Sequence, residues 1–432
     1  MKYYSDKNRN LFTDFKTAVL EGLAPDGGLF VPDNIPVLSQ SFFDNLHNLS
    51  IGEIAFEVLK PYVSENMSND VLNSIISRTF TFPAPVIKLS DSLGILELFH
   101  GPTLAFKDFG ARFMANTMSQ FIRQENRELN ILVATSGDTG SAVAHGFYGV
   151  EGINVYILYP SQKVSKIQEM QLTTLDKNIT ALEIEGTFDD CQKLVKEAFT
   201  DKDLRKNLPL SSANSINIAR LLPQSIYYFE AFKQVQRNNN IIFSVPSGNL
   251  GNLTAGLIAK KSGLPVKKFI AAANSNNVFT EYINSGQFIP RPSVKTYSNA
   301  MDVGNPSNLA RIDSIYRKIL GSIREDIYSI SFSDFETIEG IKELKEKYDY
   351  LIDPHGAIGY LAFDKYEKDT DDFGIILETA HPAKFGDVIE LNTGFKIEMP
   401  KRLSDYLKAE KKSIKMDKQY DSLKSFLRSK KK

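Results

Sequence analysis

Short apolar segments alternate with helical segments along most of this chain, and this alternation constrains the fold more than any other feature. Apolar, β-branched runs predict strands, and helical periodicity predicts helices between them. The predicted strands are 131–134, 153–159, 179–185, 241–245, 269–273 and 374–379, and helices are predicted at 141–149, 188–199, 224–236 and 253–261. This pattern is typical of doubly wound, mostly parallel α/β sheets with helices on both faces. Such sheets bind ligands at the carboxyl ends of their strands.

The alternation starts only near residue 90, so the chain is expected to divide into several parts. Residues 1–90 are predicted to form a mixed N-terminal segment, with helices near 51–62 and 69–79. We expect a smaller α/β domain over 129–215 and a larger one built from 91–128 and 216–410.

The lysine-rich end of the chain, residues 411–432, is predicted to be a basic tail. Leu423, Phe426 and Leu427 share one helical face there, and aspartates interrupt the positive charge. A solvated terminal helix with a frayed end is the favoured interpretation, and an arm that binds nucleic acid or a membrane is the alternative.

Composition excludes several classes of protein. The 51 Lys and Arg residues balance the 52 Asp and Glu residues, so the net charge does not indicate nucleic acid or an acidic membrane as a partner. The single cysteine, Cys191, excludes an internal disulfide and a cysteine-cluster zinc site, and the five histidines lack helical ligand spacing, so no metal site is expected. The polar start of the chain and the absence of an apolar run of membrane length lead us to expect a cytoplasmic protein without a signal peptide.

Two strand–loop–helix segments resemble each other in their chemistry. The first loop is Thr135-Ser136-Gly137-Asp138-Thr139-Gly140, and the second is residues 246–252, which read PSGNLGN. Glycine lets the backbone approach a ligand closely, and the N–H groups of a first helical turn attract phosphate or carboxylate. Either loop alone could be an ordinary tight turn, whereas the two together favour two anionic groups bound near each other.

One lysine has unusual surroundings. Lys107 follows the structure-breaking Gly101-Pro102 pair and lies among apolar residues such as Phe106 and Phe109, near the predicted start of a helix. Apolar surroundings and the positive end of a helix both lower the pKa of an ammonium, and a neutral amine forms Schiff bases. The alternative is an exposed helical lysine paired with Asp108. A reactive amine together with a glycine-rich anion loop is what pyridoxal 5'-phosphate needs, and the second loop would then receive an amino acid carboxylate.

These motifs, in this order, resemble the threonine synthase family of fold type II pyridoxal-phosphate enzymes. The matching segments are GLAPDGGLFVP (22–32), HGPT (100–103), FKD (106–108), TSGDTG (135–140), GTFDDC (186–191) and TAHPAKF (379–385). The resemblance covers nearly the whole chain. It implies two α/β domains of fold type II, an extra N-terminal segment, and conversion of O-phospho-L-homoserine and water to L-threonine and phosphate, the last step of threonine biosynthesis.

The resemblance also implies roles for individual residues. Lys107 would hold the cofactor as a Schiff base and act as the catalytic proton carrier, and Thr379 would bond to the pyridine nitrogen. The implied phosphate cup for the cofactor is Gly248, Asn249, Leu250, Gly251 and Asn252. The implied substrate contacts are Thr135, Ser136, Asp138 and Thr139 for the carboxylate, and Asn214, Ser215 and Arg220 for the phosphate. Many fold type II enzymes carry Asn in place of Asp138, and a carboxylate cannot donate to the cofactor as an amide does, so the role of Asp138 is left open.

Other residues have alternative roles, and the pattern also admits rival functions. Asp353 is favoured as a helix cap, His381 and Lys384 either line the site or shape a turn, and Asn274 and Asn276 are expected at the ligand-binding edge of the sheet. The rival functions are a serine or threonine dehydratase, a β-replacing synthase, a phospho-amino-acid lyase that releases a keto acid, and a nucleotide- or phosphosugar-binding protein without catalysis. The sequence leaves open whether the chain is a monomer or a homodimer.

Overall fold

A computed structural model describes residues 1–125, 127–135, 137–235, 240–369 and 371–430 of the chain. Three β-sheets organise this described part: an antiparallel sheet of three strands, a sheet of six strands and a parallel sheet of five strands. The expected fold class, parallel-dominated α/β sheets with an extra N-terminal segment, is confirmed.

The N-terminal segment forms a small sheet that is covered by helices. Its elements are β1 (Tyr3–Ser5), β2 (Asn8–Thr13), α1 (Phe15–Glu21), β3 (Phe30–Pro32), α2 (Gln40–Asn45), α3 (Ile51–Val63) and α4 (Asn69–Thr79), with a 3₁₀ turn at Leu46–Asn48. The predicted helices near 51–62 and 69–79 are confirmed. A capping box between Ser50 and Glu53 fixes the start of α3. The strands of this small sheet were not predicted.

The six-stranded sheet begins next. Strands β4 (Val86–Lys88) and β5 (Leu93–Glu97) form an antiparallel pair, and the loop after β5 leads into α5 (Lys107–Glu125). Lys107 is therefore the first residue of a helix, where the sequence placed it. Thr103 lies in the loop before this helix, and its N–H and hydroxyl groups both donate to the Asp108 carboxylate at 2.8 Å.

The chain then builds the five-stranded sheet. Its elements run β6 (Leu129–Ala134), α6 (Asp138–Phe147), β7 (Ile153–Pro160), α7 (Lys166–Thr173), β8 (Ile179–Ile184), α8 (Phe188–Thr200), α9 (Lys202–Asn207) and β9 (Leu210–Ser212). All six residues of β6 are buried, which explains its apolar run at 131–134. Cys191 packs as a small apolar residue in the core of this sheet.

The remaining elements complete the six-stranded sheet, whose strand order is β12-β11-β10-β13-β5-β4. In chain order they are α10 (Ile218–Leu221), α11 (Ile226–Val235), β10 (Ile241–Pro246), α12 (Gly251–Lys261), β11 (Lys268–Ala273), α13 (Val278–Ser285), α14 (Leu309–Ile315), α15 (Leu320–Asp326), β12 (Ile327–Ser331), α16 (Asp334–Tyr348), α17 (Pro354–Lys365), β13 (Phe373–Glu378), α18 (Gly386–Thr393) and α19 (Lys401–Lys408), with 3₁₀ turns at Leu222–Ser225, Asn299–Met301 and Pro382–Phe385. Strands β10, β11, β12, β13 and β5 are parallel, so their carboxyl ends meet at one edge.

The C-terminal segment corrects the expectation of a solvated tail. Strand β14 (Ile414–Met416) pairs in parallel with β8 and becomes the edge of the five-stranded sheet. Helix α20 (Tyr420–Ser429) places Leu423 and Leu427, both fully buried, in the core of that sheet. The apolar face that the sequence showed is thus an internal packing face, and the lysines lie around it in ion pairs such as Lys424–Asp201 at 2.6 Å.

In the described ranges, no helix combines the length and the apolar character needed to cross a membrane.

Candidate active site

A cavity of about 200 Å³ lies where the carboxyl ends of the two parallel sheets face each other. The loops after β6, β9, β10 and β13 all contribute to its wall. The site residues predicted from the sequence that line it are Lys107, Thr135, Thr139, Asn214, Ser215, Arg220, Gly248, Asn249, Leu250, Gly251, Asn252 and Thr379. Residues that lie far apart in the sequence are thus brought to one cavity. Ser136, which was also predicted to contact the substrate, lies outside the described residues.

The amine of Lys107 is almost enclosed. Its side chain is 14% exposed, and its Nζ lies 4.8 Å from the centre of the Phe106 ring. Burial lowers the pKa of Lys107 to about 8, and the positive charge of Lys384 acts in the same direction, against the opposing charge of Asp138. Asp108 bonds to Thr103, so the alternative of a Lys107–Asp108 surface pair does not hold.

The loop after β10 is shaped to receive an anion. Leu250 adopts a left-handed conformation with φ of 59° just before α12 begins at Gly251, which directs the first turn of α12 towards the cavity. Gly248 packs against the chain at Met301, where a Cβ atom on residue 248 would come within 2.7 Å of the Met301 Cα. Only glycine therefore fits at position 248 without displacing backbone.

The first loop is held by its own threonine. The Thr135 Oγ1 accepts from the N–H groups of Gly137 at 3.0 Å and Gly140 at 2.8 Å. Gly137 has φ of 148°, and a Cβ there would lie 2.6 Å from Gln168. Thr135 thus fixes the turn as well as lining the cavity, and Thr139 lines it from the first turn of α6.

Asp138 is placed differently from the substrate contact that the sequence predicted. Its side chain is 2% exposed and is not part of the cavity wall. Its Oδ1 lies 2.5 Å from the Lys384 Nζ and accepts from the Gln168 amide at 3.0 Å, while its Oδ2 lies 3.9 Å from the Lys107 Nζ. Burial raises the pKa of Asp138, but the two ammonium groups outweigh burial and hold it well below its usual range. The carboxylate is an ion-pair partner of two lysines.

The segment after β9 presents buried polar atoms without partners. The Asn214 Oδ1 and the Arg220 Nε are both buried in the cavity wall and have no hydrogen-bond partner. Burial lowers the pKa of Arg220 to about 10, so its guanidinium remains charged at neutral pH. The Arg220 Nη1 donates to the Ala213 carbonyl at 2.5 Å, and Ser215 accepts from Asn249 at 2.5 Å, which joins this segment to the loop after β10.

Thr379 follows directly after β13. Its carbonyl accepts from the Phe106 N–H at 2.9 Å, which fixes Thr379 beside the segment that carries Lys107. His381 caps the following 3₁₀ turn by accepting from the Ala383 N–H at 3.1 Å, and it does not line the cavity. Of the two alternatives for His381, the structure supports the turn.

Sequence reasoning missed several residues of the cavity. Asp353 caps α17 as expected, by accepting from the Gly356 N–H at 2.7 Å, but its other oxygen bonds to His355, which lines the cavity. Asn299 lines the cavity with an unpartnered, buried Oδ1. No motif marked Asn299, since it lies in an irregular segment that only tertiary contacts place. Asn274 and Asn276 do not line the cavity.

These residues suit pyridoxal phosphate. An amine with a lowered pKa can bond to its aldehyde, and a glycine cradle beside a helix start can hold its phosphate. The unpartnered Nε–H group of Arg220 can donate to a second anion. The part of the chain that the structure describes contains no group of three or more acidic, histidine or cysteine side chains that could hold a metal ion.

Comparisons with known proteins identify the family. Residues 2–80 match the family model described as threonine synthase N terminus, residues 82–374 match pyridoxal-phosphate dependent enzyme, and residues 356–427 match threonine synthase, C-terminal. The chain is 44% identical to a threonine synthase of Buchnera aphidicola subsp. Schizaphis graminum over 99% of both chains, and 43% identical to that of Escherichia coli over 94% of both.

Solved structures agree with the sequence matches. A threonine synthase structure from Escherichia coli superposes with a TM-score of 0.93 at 41% identity over 99% of this chain and 100% of the other. A threonine synthase from Brucella melitensis with bound pyridoxal phosphate gives 0.94 at 32% identity over 100% of both chains. A serine racemase from maize, at 17% identity and 0.54, shares the fold alone. The chain thus belongs to the threonine synthase family of pyridoxal-phosphate-dependent lyases.

Proposed function

We propose that the protein converts O-phospho-L-homoserine and water to L-threonine and phosphate. The observation that carries this choice of substrate is the buried Arg220 Nε, an N–H donor without a hydrogen-bond partner on a residue that lines the same cavity as Lys107. A phosphate at the Cγ of the substrate could accept from this charged donor, whereas serine and threonine carry no second anion for it.

The cofactor site in this proposal is built from Lys107, the loop 248–252 and Thr379. When bound, pyridoxal phosphate supplies an aldehyde for amino groups and a ring that delocalises the electrons released at Cα. The amine of Lys107 would attach it, and the first turn of α12 with Gly248 would hold its phosphate. The Thr379 hydroxyl would bond to the ring nitrogen, and because it is neutral, it favours elimination over transamination.

The chain's own residues then act on the substrate. Thr135, Ser136 and Thr139 of the first loop would bind its carboxylate. The Lys107 amine, once released from the cofactor, would take the proton from Cα, and its lowered pKa suits this transfer near neutral pH. Arg220, with Asn214 and Ser215, would stabilise the phosphate as its negative charge grows on leaving Cγ. Loss of a proton from Cβ would supply the electron pair that expels the phosphate from Cγ. A proton would then return to Cγ, water would add at Cβ, and a proton would return to Cα.

A stoichiometric product assay tests this function. Holoenzyme incubated with O-phospho-L-homoserine should release threonine and phosphate in equal amounts, with no keto acid and no ammonia. Keto acid and phosphate without threonine would show a phospho-amino-acid lyase instead. Keto acid from serine or threonine, with no reaction of phosphohomoserine, would show a dehydratase.

We also propose that the reaction takes place in the cytoplasm. A phosphorylated amino acid is charged and does not cross a membrane unaided, so the enzyme is expected where the substrate is made. Fractionation of cells that express the chain should recover the activity in the cytoplasmic fraction, and recovery with membranes or outside the cell would contradict this.

A further inference from the structure

A second buried lysine lies beside Lys107. Lys384 belongs to the 3₁₀ turn after β13, and its side chain is fully buried. Its Nζ lies 2.5 Å from the Asp138 Oδ1 and donates to the Thr103 carbonyl at 3.0 Å. The same carbonyl accepts from the Gln171 amide at 3.1 Å, so Thr103, in the loop before α5, is held from two sides.

One carboxylate therefore faces two ammonium groups. Asp138 is in direct contact with Lys384 but is 3.9 Å from the Lys107 Nζ. Gln168 donates to the same oxygen that Lys384 contacts. A buried ammonium is stable only when it is paired and hydrogen-bonded. Lys384 meets this requirement with two close acceptors, whereas Lys107 has one distant carboxylate.

Lys384 thus occupies the close acceptors, and Lys107 lies outside hydrogen-bond distance of the carboxylate. We propose that Lys384 is a positioning residue that occupies the Asp138 carboxylate, so that Lys107 can give up its proton and serve as the reactive amine. The inference rests on the proposed function, because it assigns a second lysine to the same site. It also gives the carboxylate at position 138 a role that needs no donation to the cofactor.

The charges around Lys107 agree with this arrangement. Besides burial, the groups that act on it are Asp138 and Asp353, which favour the ammonium, and Lys384 and Arg220, which oppose it. They come from α6, the cap of α17, the 3₁₀ turn after β13, and α10. Removing Lys384 removes an opposing charge and also leaves the Asp138 carboxylate to Lys107 alone. Both changes favour a protonated nitrogen on residue 107.

The test is a pH titration of the visible absorbance of the holoenzyme, for the unchanged chain and for Lys384→Met, Asp138→Asn and the double variant. In Lys384→Met we expect the pH of the spectral transition to rise by about one unit or more, with about a tenfold loss of kcat. In the double variant, which removes both charges, the transition should return towards that of the unchanged chain, and part of kcat should return with it. An unmoved transition in Lys384→Met, or no return in the double variant, would overturn the proposal.

Control variants show whether the shift in the spectral transition is specific to Lys384 or follows from the loss of any ion pair. Lys267→Met removes a lysine that pairs with Asp369 and Asp372, each at 2.6 Å, outside the cavity, and it should leave the spectral transition unchanged. Should Lys384→Met fail to fold, as judged by thermal unfolding, Lys384→Arg keeps the charge and must then leave the transition in place; a shift there contradicts the proposal. Since the absorbance needs no phosphohomoserine, a shifted transition in a protein that makes no threonine would refute the proposed reaction alone.

Discussion

Lys107 reacts as an amine only when it is unprotonated, and its burial sets the pH at which this occurs. Its pKa is lowered to about 8, so below that pH the neutral fraction, and with it the rate of cofactor attachment, should rise about tenfold per pH unit. Above pH 8 the rate should level off, whereas an ordinary lysine would continue to gain reactivity until about pH 10. Stopped-flow absorbance of apoprotein mixed with pyridoxal phosphate measures this, with Nα-acetyl-lysine as the reference amine. A rate that still climbs at pH 10 would contradict the prediction.

Gly248 is the glycine at which the cofactor loop tolerates a side chain least. In Gly248→Ala the new methyl group would overlap the backbone at Met301, so the loop must move away from its position at the cavity. We expect the dissociation constant of pyridoxal phosphate to rise about tenfold or more, a loss of about 1.4 kcal/mol. Fluorescence titration of the apoprotein measures it. Gly321→Ala is the matched control, because a Cβ there has nothing within 4 Å, and equal behaviour of the two variants would refute the argument.

Arg220 should matter to the substrate more than to the cofactor. Arg220→Lys keeps the charge but loses the planar fork that suits phosphate, so KM for phosphohomoserine should rise about tenfold or more while the cofactor absorbance is unchanged. Steady-state kinetics measure the KM, and an absorbance spectrum measures the bound cofactor. Arg205→Lys, an exposed arginine that pairs with Glu21 at 3.3 Å, is the control. Loss of cofactor with an unchanged KM would assign Arg220 to the cofactor instead.

At the scale of elements, a buried hydrogen-bond network holds one irregular wall of the cavity. Asn274, after β11, donates to Thr296 at 2.8 Å, to Asp302 at 2.9 Å and to Ser298 at 3.0 Å. His355 accepts from the Ala300 N–H at 3.2 Å from the other side. The segment 296–303 has a single 3₁₀ turn, so these bonds replace regular structure in fixing it.

Removal of the Asn274 amide should therefore loosen this wall. Asn274→Ala removes one buried donor to Thr296 and Asp302, while Asn276 and Thr296 still donate to Asp302. We expect it to lower the free energy of unfolding by about 1–3 kcal/mol and to raise KM for the substrate. Urea unfolding and steady-state kinetics measure both. Asn392→Ala, whose amide bonds to Val388 within its own helix, is the control. An unchanged KM in Asn274→Ala would show that the wall keeps its shape without the network.

Elements that are buried on both faces could be predicted from the sequence, and elements that depend on a distant partner could not. Strand β10 is buried at every position, so its composition alone marks it. Strand β14 has three residues, two of them exposed, and is a strand only because β8 lies beside it. The same distinction holds in the site. The apolar sequence around Lys107 was enough to predict a lysine with a lowered pKa. The ion pair of Lys384 could not be predicted, because only folding places its Nζ 2.5 Å from Asp138.

At the scale of the whole molecule, parts of the chain that do not line the cavity hold its wall in place. Arg311, which is 1% exposed, donates to the carbonyls of Phe30 in the N-terminal sheet at 3.0 Å and of Ile216 at 2.5 Å, and to the Asn308 Oδ1 at 2.8 Å. One buried guanidinium thus joins the N-terminal segment to the chain that carries Asn214 and Arg220. Such a contact holds the N-terminal segment against the part of the chain that forms the cavity wall.

The C-terminal segment provides the last of these supports, and its role can be measured. Leu423 is fully buried with Leu427 among the side chains of the five-stranded sheet, so Leu423→Ala should lower the free energy of unfolding by about 2–5 kcal/mol. Ser425→Ala, an exposed position on the same helix, should change it by less than about 0.5 kcal/mol. Because β14 pairs with β8, hydrogen exchange should also quicken in β8 when α20 loosens. Equal stability of the two variants, or unchanged exchange in β8, would mean that residues 411–430 behave as the solvated tail that the charge pattern suggested.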